Sequence, residues 1–298
     1  MAFSVWVLCY ILNPPEPIIL FKQRTRCLME ENMPETRSSL LQDDLNDHYC
    51  KVADNYDDYY MELEDAQLQN VVESLDLQTD HVMVDVGGGT GRFAEEIFKL
   101  ARLKKQIFCV EPSAEMLEKT KGREGVIPVL KTGEEFFADP SLRDNFDRVM
   151  FKYSFHHLSD PLPVFKDVER SLRSDGFCLI LSIRSITFFK RFAEVTGLAT
   201  EYHPQEEIHE TSRMLQKANL DVETSLVKLK CNFRKAKFYS MLRGRFMSSL
   251  FKLTDQEIEK GIEMLEQGEL GQIEDNDEVE GFLTHVVIKA KKTKNQSS

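Results

Sequence analysis

The feature that most constrains this chain is a rhythm. Five short, largely apolar runs recur along its middle: His81–Val86, Gln106–Val110, Val126–Leu130, Phe146–Tyr153 and Gly176–Ser182. Helix-length segments separate them. Unbroken apolar strands are those buried on both faces, so this rhythm predicts a parallel sheet covered by helices on either side. Between the runs, Arg92–Leu103 has apolar residues at 93, 94, 97, 98, 100 and 101, which is helical spacing. Ser113–Lys121 opens on a serine suited to cap a helix N-terminus, and another helix is expected near Pro161–Leu172. Upstream, Leu41–Met61 reads as a helix followed by a turn, and Leu68–Leu77 as a second, amphipathic helix. Downstream come a helix at Glu206–Ala218, an alternating strand at Val222–Lys230 and a last strand at Gly281–Ala290. Two helical segments, Lys235–Leu250 and Asp255–Glu266, lie between those two strands. No internal repeat of solenoid period is present.

Composition enters as a set of exclusions. The 298 residues are 42% hydrophobic and 30% charged, with a formal net charge of −12. A chain so acidic is not built for nonspecific binding to nucleic acid or to an anionic membrane. Its six cysteines include no C-x-x-C pair, so they are expected to be reduced, mostly buried thiols, with no metal site. The apolar stretch Ala2–Leu12 is too short to span a bilayer, which takes roughly 20 residues. It lacks the basic flank and small-residue cleavage pattern of a signal peptide. The expected organisation is a poorly ordered extension over 1–39, one domain over 40–290 with a helical insert at about 232–270, and a solvated tail over 291–298. The expected location is the cytoplasm, without stable membrane insertion.

Behind the first strand stands the loop of VDVGGGTGR, residues 84–92. Glycine is costly to order, so several together mark a turn that needs positive φ or a close backbone approach. Read as Gly87-x-Gly89-x-Gly91, the loop is one residue shorter in its second interval than the dinucleotide signature G-x-G-x-x-G. A nicotinamide cofactor is therefore disfavoured. Glu111 ends the next strand, twenty residues after Gly91. A carboxylate there can accept both hydroxyls of a ribose, or it can cap the following helix. The glycine loop at that spacing favours the ribose.

Taken in order, VDVGGGTG, FCVEPS, VLKTGEEF, FDRVMFKYSFHHL and GFCLIL resemble the successive motifs of the class I S-adenosylmethionine-dependent methyltransferases. The small-molecule group that includes ubiquinone- and menaquinone-pathway enzymes is the nearest in look. The resemblance runs from about Tyr49 to Ala290. It implies a doubly wound, Rossmann-like α/β fold: seven strands, mostly parallel, the last antiparallel, with a helical insert between the last two. It also implies S-adenosyl-L-methionine as cofactor. Asp85, Gly87, Gly89 and Gly91 would frame its methionine part, and Glu111 its ribose. Pro112 and Met116 would line the adenine, with Thr132, Gly133 and Glu134 at the adenine edge. Glu135 is an alternative carboxylate there. Lys152, Tyr153 and Ser154 would lie beside the sulfonium. Tyr49 and Tyr56 match an N-terminal lid over the cofactor, or simple amphipathic packing.

Methyl transfer asks chiefly for in-line alignment and exclusion of water. A base is needed only for an acceptor that starts protonated. His157 is the candidate base, and His156 reads as holding the loop. The segment Thr224–Thr254 holds eight basic residues and no acid. It reads as a lid over an anionic or aromatic acceptor, with Tyr153, Arg243 and Arg245 on the substrate side. For most of these side chains it reads more simply as an amphipathic segment facing the acidic Tyr49–Asp65 region, and RNA contact is the second functional reading. The expected function is methyl transfer to a small-molecule acceptor. The alternative is a cofactor-binding protein of this kind that serves a partner without catalysis. RNA or protein methylation would call for a recognition domain or larger basic surface, and neither is apparent. Oligomeric state is not readable from the sequence.

Overall fold

The computed structural model of this protein describes residues 53–198 and 204–293. Seven strands form one sheet: β1 Met83–Val86, β2 Ile107–Glu111, β3 Val126–Leu130, β4 Phe146–Lys152, β5 Leu172–Ile186, β6 Leu220–Arg234 and β7 Glu278–Lys292. Their order across the sheet is β3-β2-β1-β4-β5-β7-β6. The first five run parallel. β7 inserts antiparallel between β5 and β6. The strand order turns back beside β1, so β1 and β4 leave a crevice beyond their carboxyl ends, the usual ligand position in open sheets of this kind.

Nine α-helices are described: α1 Tyr56–Leu75, α2 Arg92–Leu100, α3 Ala114–Glu118, α4 Gly133–Phe137, α5 Pro161–Ser171, α6 Thr187–Thr196, α7 Pro204–Lys217, α8 Lys235–Arg243 and α9 Asp255–Glu266. The core strands are short and apolar because both faces are covered. Val84, Val149, Phe151, Cys178 and Ile180 bury into one cluster, and Met83, Met150, Leu179 and Leu181 into another on the opposite face. Neighbouring strand residues alternate between the two faces, as pleating requires.

Several expectations need correction. The two upstream helices are one: α1 runs unbroken from Tyr56 to Leu75. No glycine or proline interrupts that span, and Leu63, Gln67, Val71 and Leu75 form a buried stripe at four-residue spacing. Lys235–Leu250 is not one helix. α8 ends at Arg243, and a short turn of 3-10 helix follows at Ser248–Lys252. The helices α4 and α6 were not anticipated. Lys291 and Lys292 belong to β7 rather than to a tail, and the Lys292 ammonium donates to the Leu172 carbonyl at 2.8 Å. The expected extension over 1–39 lies outside the described residues, as does Tyr49.

Candidate cofactor site

Val86 ends β1, and the chain turns at once. Gly87, Gly89 and Gly91 take φ of +69°, +58° and +71°, the left-handed region that favours glycine. The reason differs at each. A Cβ on Gly87 would stand 2.4 Å from Cβ of Ser154, at the end of β4. Ser154 is fixed there because its hydroxyl donates to the Val86 carbonyl at 2.5 Å. At Gly89 a Cβ would face Met116 Cε at 3.3 Å and the Tyr56 ring at 3.8 Å. Gly88, which the x-spacing treats as filler, is confined too: its Cβ would meet the Cys109 sulfur at 2.6 Å.

Glu111 is 7% exposed, and its carboxylate accepts two backbone N–H groups. Gly89 donates to one oxygen at 3.0 Å and Ser113 to the other at 2.9 Å. The residue therefore ties the glycine loop to the end of β2. Burial pushes its carboxyl up, and the two N–H donors oppose that rise. Ser113 caps α3 as expected, its hydroxyl accepting from the Met116 N–H at 3.2 Å. Pro112 is exposed beside it, and Met116 is buried.

Asp85 lies under the loop, 1% exposed, and neither carboxylate oxygen has a hydrogen-bond partner among the described residues. Burial pushes its carboxyl up to about 7. The nearby Lys152 charge opposes that shift, and the charges of Glu64 and Glu111 add to it. Lys152 itself leaves β4 toward α1, where its ammonium meets Glu64 at 2.7 Å and lies 4.4 Å over the Phe93 ring. Arg92, the first residue after Gly91, meets the other oxygen of Glu64 at 2.6 Å. Farther up α1, Asp57 accepts from the Thr90 hydroxyl and pairs with Arg123. Arg123 also donates to the Thr90 carbonyl at 2.7 Å. The two residues that flank Gly91 are thus both pinned to α1.

Where the sequence predicts the adenine edge, each carboxylate has a local partner. Thr132 caps α4, and Glu135 closes the capping box with it. Glu134 accepts from the Ser159 N–H at 2.9 Å, which steadies the loop carrying His156 and His157. Gly133 makes room for Leu158 and Val86, each 3.1 Å from the position of its absent Cβ. The two histidine rings lie 4.0 Å apart in a turn of 3-10 helix, with His156 exposed and His157 half-buried. Tyr153 has φ of +60°, a rare conformation for a side chain of its size, and its hydroxyl donates to Gln67 of α1 at 2.7 Å.

The insert is organised differently. Arg243 makes a two-point pair with Glu259 at 2.7 and 2.9 Å, and Arg245 meets Asp255 at 2.7 Å. Lys237 reaches Asp58 at 3.3 Å and Glu62 at 2.7 Å, both on α1. Of these cations only Lys237 meets the acidic α1 side; Arg243 and Arg245 are held by acids of α9, so the clamp on a substrate carboxylate expected of them is not formed by free groups. Tyr60 donates to the Phe246 carbonyl at 2.6 Å, and the Tyr59 hydroxyl fills the space beside Gly244. The insert and α1 thus cover the same side of the molecule. Sequence reasoning missed Asp57, Glu64 and Gln67. No local signal singles them out, since α1 carries acids and amides along its whole length and these three differ only in the distant residues they meet.

With this geometry in view, comparison with known proteins is informative. Residues 84–180 match the family described as a methyltransferase domain. An uncharacterised methyltransferase of Bacillus subtilis, YcgJ, is 27% identical over 139 residues, 45% of this chain and 53% of that protein. A counterpart from Anoxybacillus flavithermus is 28% identical over 105 residues, 35% of this chain and 47% of that protein. The chain thus spans about half the length of the curated relatives it matches. The crystal structure of YcgJ superposes with a TM-score of 0.50 at 18% identity, over 77% of this chain and 99% of that one. A protein of Anabaena variabilis provisionally assigned as a methyltransferase from an antibiotic biosynthesis pathway gives 0.56 at 22% identity, over 74% and 95%. The fold is that of the class I methyltransferases, and the sheet order and antiparallel β7 agree with it. The resemblance noted in the sequence holds at the level of fold, and residues 84–180 carry the match to the methyltransferase-domain family.

Proposed function

We propose that this protein binds S-adenosyl-L-methionine and transfers its methyl group to a small-molecule acceptor. The observation that carries this reading is Asp85. A carboxylate with no partner, buried beneath three left-handed glycines, is costly unless a cationic ligand group completes it. The methionine ammonium of the cofactor supplies such a group. Glu111, already placed at the end of β2 by Gly89 and Ser113, retains acceptor capacity for a ribose. Met116 and the Tyr56 ring face the loop at Gly89, where they would flank the cofactor.

The bound cofactor offers an electrophilic methyl group on a sulfonium. The chain's part is to align and enclose. Asp57 and Glu64 hold the loop from α1, while Lys152 and Tyr153 bring the end of β4 under the same helix. His157 is the candidate to take a proton from an acceptor hydroxyl or ammonium. The packing of α1 against the insert, through Tyr60 and Phe246, supports a small acceptor over a macromolecule. The compartment we infer is the cytoplasm, since Cys109, Cys178 and Cys231 are buried free thiols. No helix of the described residues is long and apolar enough to cross a membrane.

Calorimetric binding of S-adenosyl-L-methionine, followed by transfer of its tritiated methyl group into a metabolite extract, tests the proposal. Binding together with a labelled small product is the expected result. Binding without product, at any enzyme concentration, would leave the partner-protein alternative. Absence of binding would sink both.

A further inference from the structure

The buried stripe of α1 contains one polar member. Leu63 packs into the apolar cluster that holds Phe246 and Leu283. Val71 and Leu75 pack into the separate cluster that holds Leu181 and Val287. Gln67 stands one turn from each, over the seam between the two clusters. It is fully buried, and its amide nitrogen has no hydrogen-bond partner among the described residues. β7 shows the same arrangement from below. Leu283 belongs to the first cluster and Val287 to the second. His285, between them, is fully buried with both ring nitrogens unpaired among the described residues.

Both residues face the same space. Cys231 of β6 points at α1, because its thiol donates to the Glu62 carbonyl. Val227 is on the same side of β6 by alternation, and it is the direct partner of His285. His285 therefore faces α1. Its partner on the other flank is Ile183 of β5. Two residues earlier on β5, the Leu181 carbonyl accepts from the Tyr153 N–H at 3.0 Å, and the Tyr153 hydroxyl holds Gln67. The seam thus begins at the end of β4, beside Lys152. A half-paired amide, an unpaired imidazole and a tyrosine in a strained backbone conformation converge there. Buried polar groups in native proteins are almost always paired, and unpaired ones call for an explanation. Strained conformations gather at functional sites.

We infer that the seam beneath α1 is a binding site for the methyl acceptor's polar group, with Gln67 and His285 as its recognition residues. The acceptor class is a neutral molecule that carries a hydroxyl or amino group on an apolar body. Gln67 offers a donor, and His285 offers one donor and one acceptor as the neutral ring. The two apolar clusters on either side match the body. Arg243 and Arg245, the cations expected to hold an anionic acceptor, are already paired with acids. This inference rests on the proposed methyl transfer, since it assigns the second substrate of that same crevice.

The test uses protein carrying isotope-labelled histidine, saturated with S-adenosylhomocysteine. It is titrated with para-ethylphenol, para-ethylaniline, para-ethylbenzoate and ethylbenzene. The phenol or the aniline is expected to move the His285 ring resonances, with the benzoate and the hydrocarbon at least about tenfold weaker. Gln67→Leu is expected to weaken the responding probe about tenfold while S-adenosylhomocysteine affinity holds. His285→Leu, which removes the ring being read, assigns the His285 resonances by their loss; should it fail to fold, Gln67→Leu still decides through the probe's affinity. Unmoved His285 resonances with every probe, or a response to the benzoate equal to the phenol's, would overturn the assignment. So would full binding by Gln67→Leu, which would make the orphaned groups a packing defect or the seat of a structural water. Failure of the homocysteine ligand to bind would instead count against the cofactor reading.

Discussion

Asp85 beneath the glycine loop and the arginines Arg243 and Arg245 of the insert between β6 and β7 live under opposite conditions. Asp85, Glu64 and Glu111 are each under a tenth exposed, and Asp85 has no partner among the described residues. Arg243 is half-exposed, and both it and Arg245 face an acid of the insert itself. The contrast separates two kinds of charge pattern. A run of basic residues in an acidic chain invites a functional reading, yet here Arg243 and Arg245 are answered by Glu259 and Asp255 of the insert and Lys237 by Asp58 and Glu62 of α1. A single acid behind a glycine loop carries more information because nothing local answers it.

Substitution should sharpen the contrast, and the largest effect is expected at the loop. Gly87→Val forces a branched side chain into a left-handed residue with Ser154 at 2.4 Å. The cost should be about 3 kcal/mol or more. Loss of measurable cofactor binding, read by calorimetry, is the expected result. Undiminished affinity would mean that the loop does not hold the ligand. Glu111→Ala comes next. It frees the Gly89 and Ser113 N–H groups and removes the ribose acceptor, for roughly 1–3 kcal/mol of cofactor affinity. A loss below about threefold would reduce Glu111 to a structural tie. The smallest effect belongs to the insert. Arg243→Ala removes an exposed pair worth under about 1 kcal/mol. Thermal unfolding should barely shift, and cofactor affinity should not change. A large loss of affinity there would erase the distinction between the two regions.

The parallel half of the sheet was legible because β1 to β4 are short, largely apolar and regularly spaced. β3 and α9 fall where their apolar spacing puts them. The turn of the glycine loop, the end of β2 at Glu111 and the Ser113 cap were legible because each rests on local chemistry. What escaped was contact between distant segments. α1 looked like two helices because its acidic first half masks the stripe Leu63, Gln67, Val71 and Leu75. The roles of Asp57 and Glu64 depend on Thr90, Arg92, Arg123 and Lys152, and no spacing rule links those positions. Gly88 seemed incidental, although Cys109 of the neighbouring strand leaves it no room for a side chain. His285 hides in an apolar run, where a buried histidine and a site histidine look alike.

Asp85 is the most direct test of the central claim. Its folded-state carboxyl titrates near 7 against an ordinary value of 3.8, so folding takes up a proton between those values. Stability from this residue is therefore lost as pH rises through that window, and the carboxylate is left ionised and unpaired above it. A cationic cofactor group reverses the balance, so binding should strengthen as Asp85 ionises. Calorimetric titration with S-adenosyl-L-methionine between about pH 5.5 and 7.5 should give about a tenfold rise in affinity for the wild type. Asp85→Asn should bind more weakly at the upper pH, with that rise removed. Equal affinity for the two proteins, flat across the same range, would contradict the claim that Asp85 waits for the cofactor.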